Sequence, residues 1–159
     1  MSRRPTLDGS PRRVAVAREP LIGDESYDYA DAFEIRAAEP DPRTAEELAR
    51  AAFAKASPLA RLGVLFGWRV LLRFRTAPAS SPDHIFGARI VRSEPEGVEL
   101  EASGPLMRGV IVARKVEPTR FVVTTFVYFG RPRIARAVWA VTAPLHRAIA
   151  PRLLANAAR

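Results

Sequence analysis

The sequence contains no cysteine, and its only two histidines are His84 and His146. Disulfides, thiolate nucleophiles and cysteine-based metal sites are therefore excluded. The histidines lie far apart in the sequence and form no H-x-x-x-H pair, so the pattern predicts no metal site. There is also no glycine-rich nucleotide-binding loop and no G-x-S-x-G elbow, which are typical of nucleotide-binding proteins and serine hydrolases. The sequence therefore predicts no cofactor.

Lysine is scarce, since only Lys55 and Lys115 occur among the 25 basic residues. The net charge of +8 is unevenly distributed: residues 1–18 carry +4, residues 19–47 carry −8 and residues 48–159 carry +12. A basic surface can bind nucleic acid, anionic lipid or an acidic ligand, and the acidic segment can also neutralise it within the molecule. No helix-turn-helix, zinc or basic-aromatic strand motif is present, so nucleic acid is not an expected partner.

Long hydrophobic runs are also missing. The first residues lack an apolar stretch of signal-peptide length, so we expect a cytoplasmic protein. The most apolar run, "PLARLGVLFGWRVLLRF" at 58–74, is 17 residues long and contains three arginines. It is too short and too charged to favour a membrane span. It fits a helix packed under a sheet, or a helix lying on an anionic membrane surface.

Residues 1–18 have little to bury and are predicted to form a flexible basic arm, followed by a single domain over 19–159. "YDYADAFEI" alternates apolar and polar residues as a strand does, although Asp31 interrupts its apolar face. Thr44 and Glu47 form a capping box that predicts a helix over 45–56. Ser57-Pro58 predicts the start of a second helix that ends near residue 74.

The chain then turns to strands, predicted at 86–91, 98–102, 106–116 and 120–129. Short turns at 94–97, 103–105 and 117–119 join them, which is typical of an antiparallel meander. The last two strands are apolar on both faces, so both faces are expected to be covered. With the strand that contains Asp31, the sequence indicates five strands.

The last segment, "RPRIARAVWAVTAPLHRAIAPRLL", combines helical periodicity with three prolines. Its predicted apolar stripe runs through Ile134, Val138, Val141, Leu145 and Ile149. Pro144 is expected to kink the helix near Ala140 without ending it. The predicted fold is α+β: an antiparallel meander sheet with two N-terminal helices and a long kinked C-terminal helix packed across it.

This order resembles an abbreviated helix-grip fold, as in START-related lipid-transfer domains and aromatase/cyclase domains. "PDHIFGARIV", "GPLMRGVIVARKVEPTRFVVTTFVYFGRP" and "VWAVTAPLHRAIAPRLL" resemble a bacterial family of domains of unknown function in the START and polyketide-cyclase superfamily. The resemblance covers roughly residues 20–157 and implies a cavity between sheet and C-terminal helix. It also implies an epimerase-like partner, which here would be a separate protein. The full helix-grip sheet usually has about seven strands.

Trp139 and His146 are seven residues apart and therefore project from the same flank of the C-terminal helix. With His84 and Phe86 from the sheet, they are predicted to border the cavity. Tyr128 and Thr125 lie on opposite faces of the last strand, and periodicity leaves open which of them points inward; both are kept as candidate ligand-binding residues. Arg108 and Arg114 share one face of the neighbouring strand, and periodicity also leaves open whether that face points to a cavity or to solvent.

The expected function is binding of an apolar or amphipathic small molecule, such as a lipid or a polyketide-like compound. One alternative is a cyclase- or dehydratase-like enzyme that uses His84 or His146 as acid or base. The other is a peripheral membrane or partner-docking module built on the Arg-rich helix at 58–74. The sequence leaves the ligand and the oligomeric state open.

Overall fold

The fold was analysed in a computed structural model, which describes residues 9–23, 25–78 and 80–157. The described residues form seven strands and three α-helices. The strands are β1 (Arg12–Val14), β2 (Tyr29–Arg36), β3 (His84–Ile85), β4 (Ala88–Glu94), β5 (Gly97–Ser103), β6 (Met107–Glu117) and β7 (Arg120–Phe129). The helices are α1 (Ala45–Ala54), α2 (Pro58–Phe66), which continues as a π-helical turn over Gly67–Leu71, and α3 (Pro132–Ala157).

All seven strands form one antiparallel sheet in the order β1-β2-β7-β6-β5-β4-β3. Strands β3 to β7 form the meander, and β2 pairs with β7, so that Asp31 lies opposite Thr125. The long helix α3 contacts β2, β7 and α1. The predicted α+β class, the meander and the long C-terminal helix are therefore confirmed.

Two strands were not expected from the sequence. β1 lies in the segment predicted to be a flexible arm, and it pairs with residues 32–34 of β2; residues 1–8 of that arm lie outside the described residues. β3 is separated from β4 by Phe86 and Gly87, whose φ angles are +52° and +92°. Phe86 therefore lies in a tight turn and not in the predicted strand. With seven strands, the sheet has the number usual for the helix grip.

The helix starts follow the local sequence signals. The Thr44 hydroxyl accepts from the Glu47 amide and the Glu47 carboxylate accepts from the Thr44 amide, which is the predicted capping box. Ser57 caps α2, and Pro58 occupies its first turn. The second helix is predicted to extend to residue 74, but the α-helix ends at Phe66 and a π-helical turn follows it to Leu71. The hydrogen bond that closes this turn runs from the Leu72 amide to the Gly67 carbonyl and is 2.8 Å long.

Helix α3 continues through both Pro144 and Pro151. A proline at 144 leaves the Ala140 carbonyl without its helical donor, but Ala140 is exposed, so water can bond that carbonyl. The bend near Ala140 stays a prediction.

The buried face of α3 matches the predicted stripe only in part. Ile149 is buried, Val138 packs against the core and Leu145 lines the cavity, whereas Ile134 and Val141 are 52% and 69% exposed. The buried residues of the helix are Ala135, Trp139, Thr142, Ala143, Ile149, Leu154 and Ala157, so the buried face is rotated from the predicted stripe towards Trp139. Burying an indole removes more apolar surface from water than burying a valine or isoleucine, and the small residues let the helix approach the sheet.

The sheet is covered on both faces, as the apolar character of β6 and β7 predicted. The inner face packs against the three helices and forms the main core. On the outer face, Leu21 covers Val110, Val112 and Phe126. In the described part of the chain, no helix is long and apolar enough to cross a membrane.

Candidate functional site

A cavity of about 130 Å³ lies between the inner face of the sheet and the helices. Its walls come from α1, α2, the π-helical turn, α3 and five of the strands, β2 and β4 to β7. The lining is apolar except for three side chains, His146, Thr125 and Thr142, and it also includes the indoles of Trp68 and Trp139. An apolar enclosure with a few polar groups is the usual form of a small-molecule site.

Small residues on helix α1 and on the strands that it faces leave space for this cavity. Ala49 and Ala52 on α1 face the sheet, and Ala102, Gly109 and Ala113 occupy the strands opposite. Larger side chains at these positions would fill the space, because protein interiors otherwise pack to high density.

The helix that closes one side of the cavity contacts α3 through glycines. A methyl group at Gly63 would lie 2.8 Å from Ile149 Cδ1, whereas one at Gly67 would lie 3.8 Å from the nearest atom, Leu145 Cδ2. Gly63 therefore permits the close α2–α3 contact, while the position of Gly67 has room for a methyl group.

A chain of hydrogen bonds lies at one end of the cavity. Asp31 on β2 is 1% exposed, and His146 Nε2 on α3 lies 3.1 Å from each of its carboxylate oxygens. The Tyr29 hydroxyl donates to Asp31 Oδ2 at 2.7 Å, and Arg147 Nε donates to the Tyr29 oxygen at 3.2 Å. The buried carboxylate thus has two partners on two different elements.

The environment sets the charge state of this group. Burial would raise the pKa of Asp31, but the hydrogen bond and charge of His146, together with the Tyr29 hydroxyl, hold it below its ordinary value. Burial also raises the pKa of Tyr29, which therefore keeps its proton and stays a donor. An ionised carboxylate can only accept hydrogen bonds, so the contact with Asp31 requires a hydrogen on Nε2 of His146.

Trp139 joins this polar end to the apolar wall. Its ring centroid lies 5.0 Å from that of Tyr29 and 5.6 Å from that of His146. The side chain is 7% exposed, and its Nε1–H is buried with no acceptor among the described residues. A buried donor without a partner costs about 1–3 kcal/mol, so an acceptor on a bound molecule would be favoured here.

The structure brings together only some of the predicted site residues. Trp139, His146 and Thr125 line the cavity. Phe86 lies behind the wall, where its ring stacks on Phe53 at 5.1 Å. His84 is not part of the lining: its Nδ1 lies 3.0 Å from Ser81 Oγ, and its carbonyl accepts from Arg50.

Tyr128 lies on the outer face of the sheet, away from the cavity, because Thr125 points inward and successive strand residues alternate between faces. The Arg108 guanidinium lies 4.3 Å from the centre of its ring. Arg108 also pairs with Glu25 and Glu101, and Arg114 pairs with Glu19. These arginines face acidic residues of the same chain and not a cavity.

Sequence reasoning missed Asp31 and Tyr29 as members of the site. The signal was present, because Asp31 occupies the apolar phase of its strand between Tyr29 and Phe33. An acid on a buried face needs a partner, and that partner is His146, 115 residues away.

In comparisons with protein-family models, with curated proteins and with solved structures, none matches this chain. The relationship to the helix-grip superfamily therefore stays a prediction from resemblance. The observed arrangement of strands and helices is consistent with a helix-grip layout.

Proposed function

We propose that this domain binds a small, mainly apolar molecule with one polar group in the cavity between its sheet and α3. The observation that carries the proposal is an apolar cavity whose polar side chains gather at one end. Thr125 lies opposite Asp31 in the β2–β7 register, and Asp31 holds His146. A polar ligand group at that end would meet His146 and Trp139, while the rest of the molecule contacts apolar walls. The cytoplasmic setting expected from the sequence belongs to the same proposal.

The volume limits the ligand. An apolar cavity of about 150 Å³ in another protein holds one benzene molecule, and this cavity measures about 130 Å³. It therefore suits a single aromatic ring or a short hydrocarbon segment and not a whole lipid. A ring that buries about 150 Å² gains about 4 kcal/mol at about 25 cal/mol per Å², equivalent to a dissociation constant of about 1 mM. A hydrogen bond at the polar end would tighten binding further.

The two tryptophans of the chain, Trp68 and Trp139, both line the cavity, so intrinsic fluorescence reports directly on its occupancy. We would titrate toluene, p-cresol and benzaldehyde, and record native mass spectra of protein purified without detergent. Saturable fluorescence changes, or a discrete co-purified mass, are the expected results.

Two neighbouring substitutions on β7 provide the decisive comparison. Val123 lines the cavity and Val122 lies on the opposite face of the sheet. Val123→Phe should weaken binding by about tenfold or more because the larger ring occupies the ligand's space. Val122→Phe should leave binding within about twofold, since it lies outside the site. Equal effects of the two variants, or no saturable binding by wild type, would reject the proposal.

The Asp31–His146 pair favours one second candidate, which is acid–base catalysis on the bound molecule. A histidine oriented by a buried carboxylate can take a proton from a ligand carbon or hydroxyl group. We would incubate acetophenone with the protein in deuterated water and follow deuterium exchange of the methyl protons by NMR. Exchange that His146→Gln abolishes would support the enzyme; exchange at the rate of buffer alone would leave only binding.

A further inference from the structure

The helix that forms one wall of the cavity carries exposed apolar residues on its other side. The outer stripe consists of residues spaced by three, four and four positions, so they lie along one side of the helix. Their exposed fractions are 79% for Leu59, 64% for Leu62, 49% for Phe66 and 58% for Val70. A soluble domain gains nothing from exposing four large apolar side chains in one row, and such patches usually mark a contact surface.

The segment that carries the outer stripe is basic and free of acids. Residues 48–82 include six basic residues and no aspartate or glutamate. Lys55, Arg61, Arg69 and Arg73 in this segment are exposed. Of the basic residues in the segment, Arg50 pairs with Glu46. On the outer face of the sheet, Arg108 pairs with Glu25 and Glu101, and Arg114 with Glu19.

Two of the arginines in this segment, Arg61 and Arg69, donate hydrogen bonds to uncharged groups, so their positive charge is not neutralised by these contacts. Arg61 donates to the backbone carbonyls of Ala54 and Ala56, and Arg69 Nε donates to the Thr76 hydroxyl. These acceptors are neutral, so the contacts fix the direction of the side chains without cancelling their charge. Exposed positive charge and exposed apolar surface therefore lie in the same helical segment and the turns that flank it.

We propose that this face binds the surface of an anionic lipid bilayer, with the outer stripe in the boundary between headgroups and acyl chains and the arginines among the headgroups. The apolar stripe alone would suit any apolar partner, but the basic, acid-free segment that carries it matches a negatively charged lipid surface. Helices that lie in a membrane interface have this combination of a wide apolar face and flanking basic residues.

The opposite side of the same helical segment lines the cavity through Val64, Gly67 and Trp68. Docking would therefore place the cavity wall next to the bilayer, from which an apolar molecule can enter. This route rests on the proposed ligand binding, whereas the docking itself does not.

The test is vesicle flotation with phosphatidylcholine alone and with about 30% phosphatidylglycerol, at about 50 mM and about 500 mM NaCl. We expect binding to the anionic vesicles only, with a loss of about tenfold or more at the higher salt concentration. Binding to neutral vesicles of equal strength would overturn the role of the arginines.

Matched variants separate the stripe from the overall charge of +8. Leu62→Glu and Leu59→Gln change the stripe at exposed positions, where the folded domain has little packing to lose. Val116→Glu makes the same charge change as Leu62→Glu at a 42% exposed position on β6. We expect about a tenfold loss of bound protein for each stripe variant and less than about twofold for Val116→Glu. Equal losses for Leu62→Glu and Val116→Glu would reject a specific docking face.

Size-exclusion chromatography with light scattering, without lipid, tests the competing occupant. A dimer that Leu62→Glu dissociates would assign the stripe to a second copy of the chain and overturn the proposal.

Val123→Phe is expected to float with anionic vesicles like wild type even though its cavity is filled. If wild type floats but binds no small molecule, the docking stands and the cavity function fails.

Discussion

His146 Nε2 lies 3.1 Å from both carboxylate oxygens of Asp31, although 115 residues separate the two in the sequence. The contact joins α3 to β2, the strand that pairs with the last strand of the meander. It thereby fixes the rotation of α3 over the sheet and positions one end of the cavity. The pair therefore links the packing of α3 on the sheet to the polar end of the cavity.

Replacing His146 with alanine should lower the free energy of unfolding by about 2–4 kcal/mol. Among the described residues, the substitution leaves the buried carboxylate of Asp31 with the Tyr29 hydroxyl as its hydrogen-bond donor and without the contact to His146, and a buried charge that loses its partner is costly. Asp31→Ala/His146→Ala should be more stable than the sum of the single effects predicts, which urea denaturation would measure as a double-mutant cycle. His84→Ala, which removes the contact with Ser81 at a half-buried position, is the control and should cost less than about 1 kcal/mol. Additive effects at 31 and 146 would contradict the coupling.

Acid should destabilise the protein chiefly through Glu34, which is 1% exposed on the outer face of the sheet. Burial would raise its pKa, but Arg120 and Arg12 lower it from 4.5 to about 2. A lowered pKa stabilises the folded state above pH 4.5, and this contribution is lost as the pH falls from 4.5 towards 2.

Glu34→Gln should therefore be less stable than wild type at pH 7, and its stability should fall less between pH 5 and about 2. Part of the pH dependence should remain, because the pKa values of Asp31 and Asp41 are also lowered. Glu117→Gln is the matched control, since the Glu117 side chain is 52% exposed and lies 3.9 Å from Arg120. Chemical denaturation across this pH range is the measurement, and parallel curves for Glu34→Gln and wild type would contradict the assignment.

Replacement by alanine should change the stability of the fold in opposite directions at two glycines, Gly104 and Gly67. A methyl group at Gly104 would lie 2.7 Å from the Arg73 carbonyl oxygen and 2.9 Å from that of Leu72. Because these atoms belong to the backbone and cannot rotate away, Gly104→Ala should destabilise the fold by about 1–3 kcal/mol. Gly67→Ala meets only an ordinary contact at 3.8 Å, and it should stabilise by about 0.5 kcal/mol through helix propensity. Thermal unfolding of both variants checks the contrast, and a stabilised Gly104→Ala would contradict the close approach.

Trp139→Phe should change which ligands the cavity prefers. The substitution removes the buried Nε1–H, which has no acceptor among the described residues, and keeps an aromatic ring in the wall. Binding of benzaldehyde, which carries an acceptor, should weaken about fivefold relative to toluene, which carries none. Titration calorimetry of the two compounds measures the ratio. Trp68→Phe, in the π-helical turn, is the control, and an unchanged ratio for Trp139→Phe would show that this donor does not contact the ligand.

Much of the fold could be predicted because its signals are local. The capping box at Thr44, the Ser57-Pro58 helix start and the turns at 94–97 and 117–119 involve neighbouring residues, and all are found in the structure. β1 could not be predicted, because Arg12–Val14 has no strand pattern and is held by pairing with β2 and by the ion pair of Arg12 with Glu34.

The candidate site divides in the same way. The sequence by itself determined that Trp139 and His146 share one flank of a helix, that Asp31 stands on the apolar phase of a strand, and that residues 48–82 are basic without acids. Only the tertiary structure decided that α3 turns Trp139 inward and Val141 outward, that Thr125 and not Tyr128 faces the cavity, and that Asp31 meets His146. The physical reason is that periodicity fixes which residues share a face, whereas the burial of whole elements against each other selects the face that turns inward.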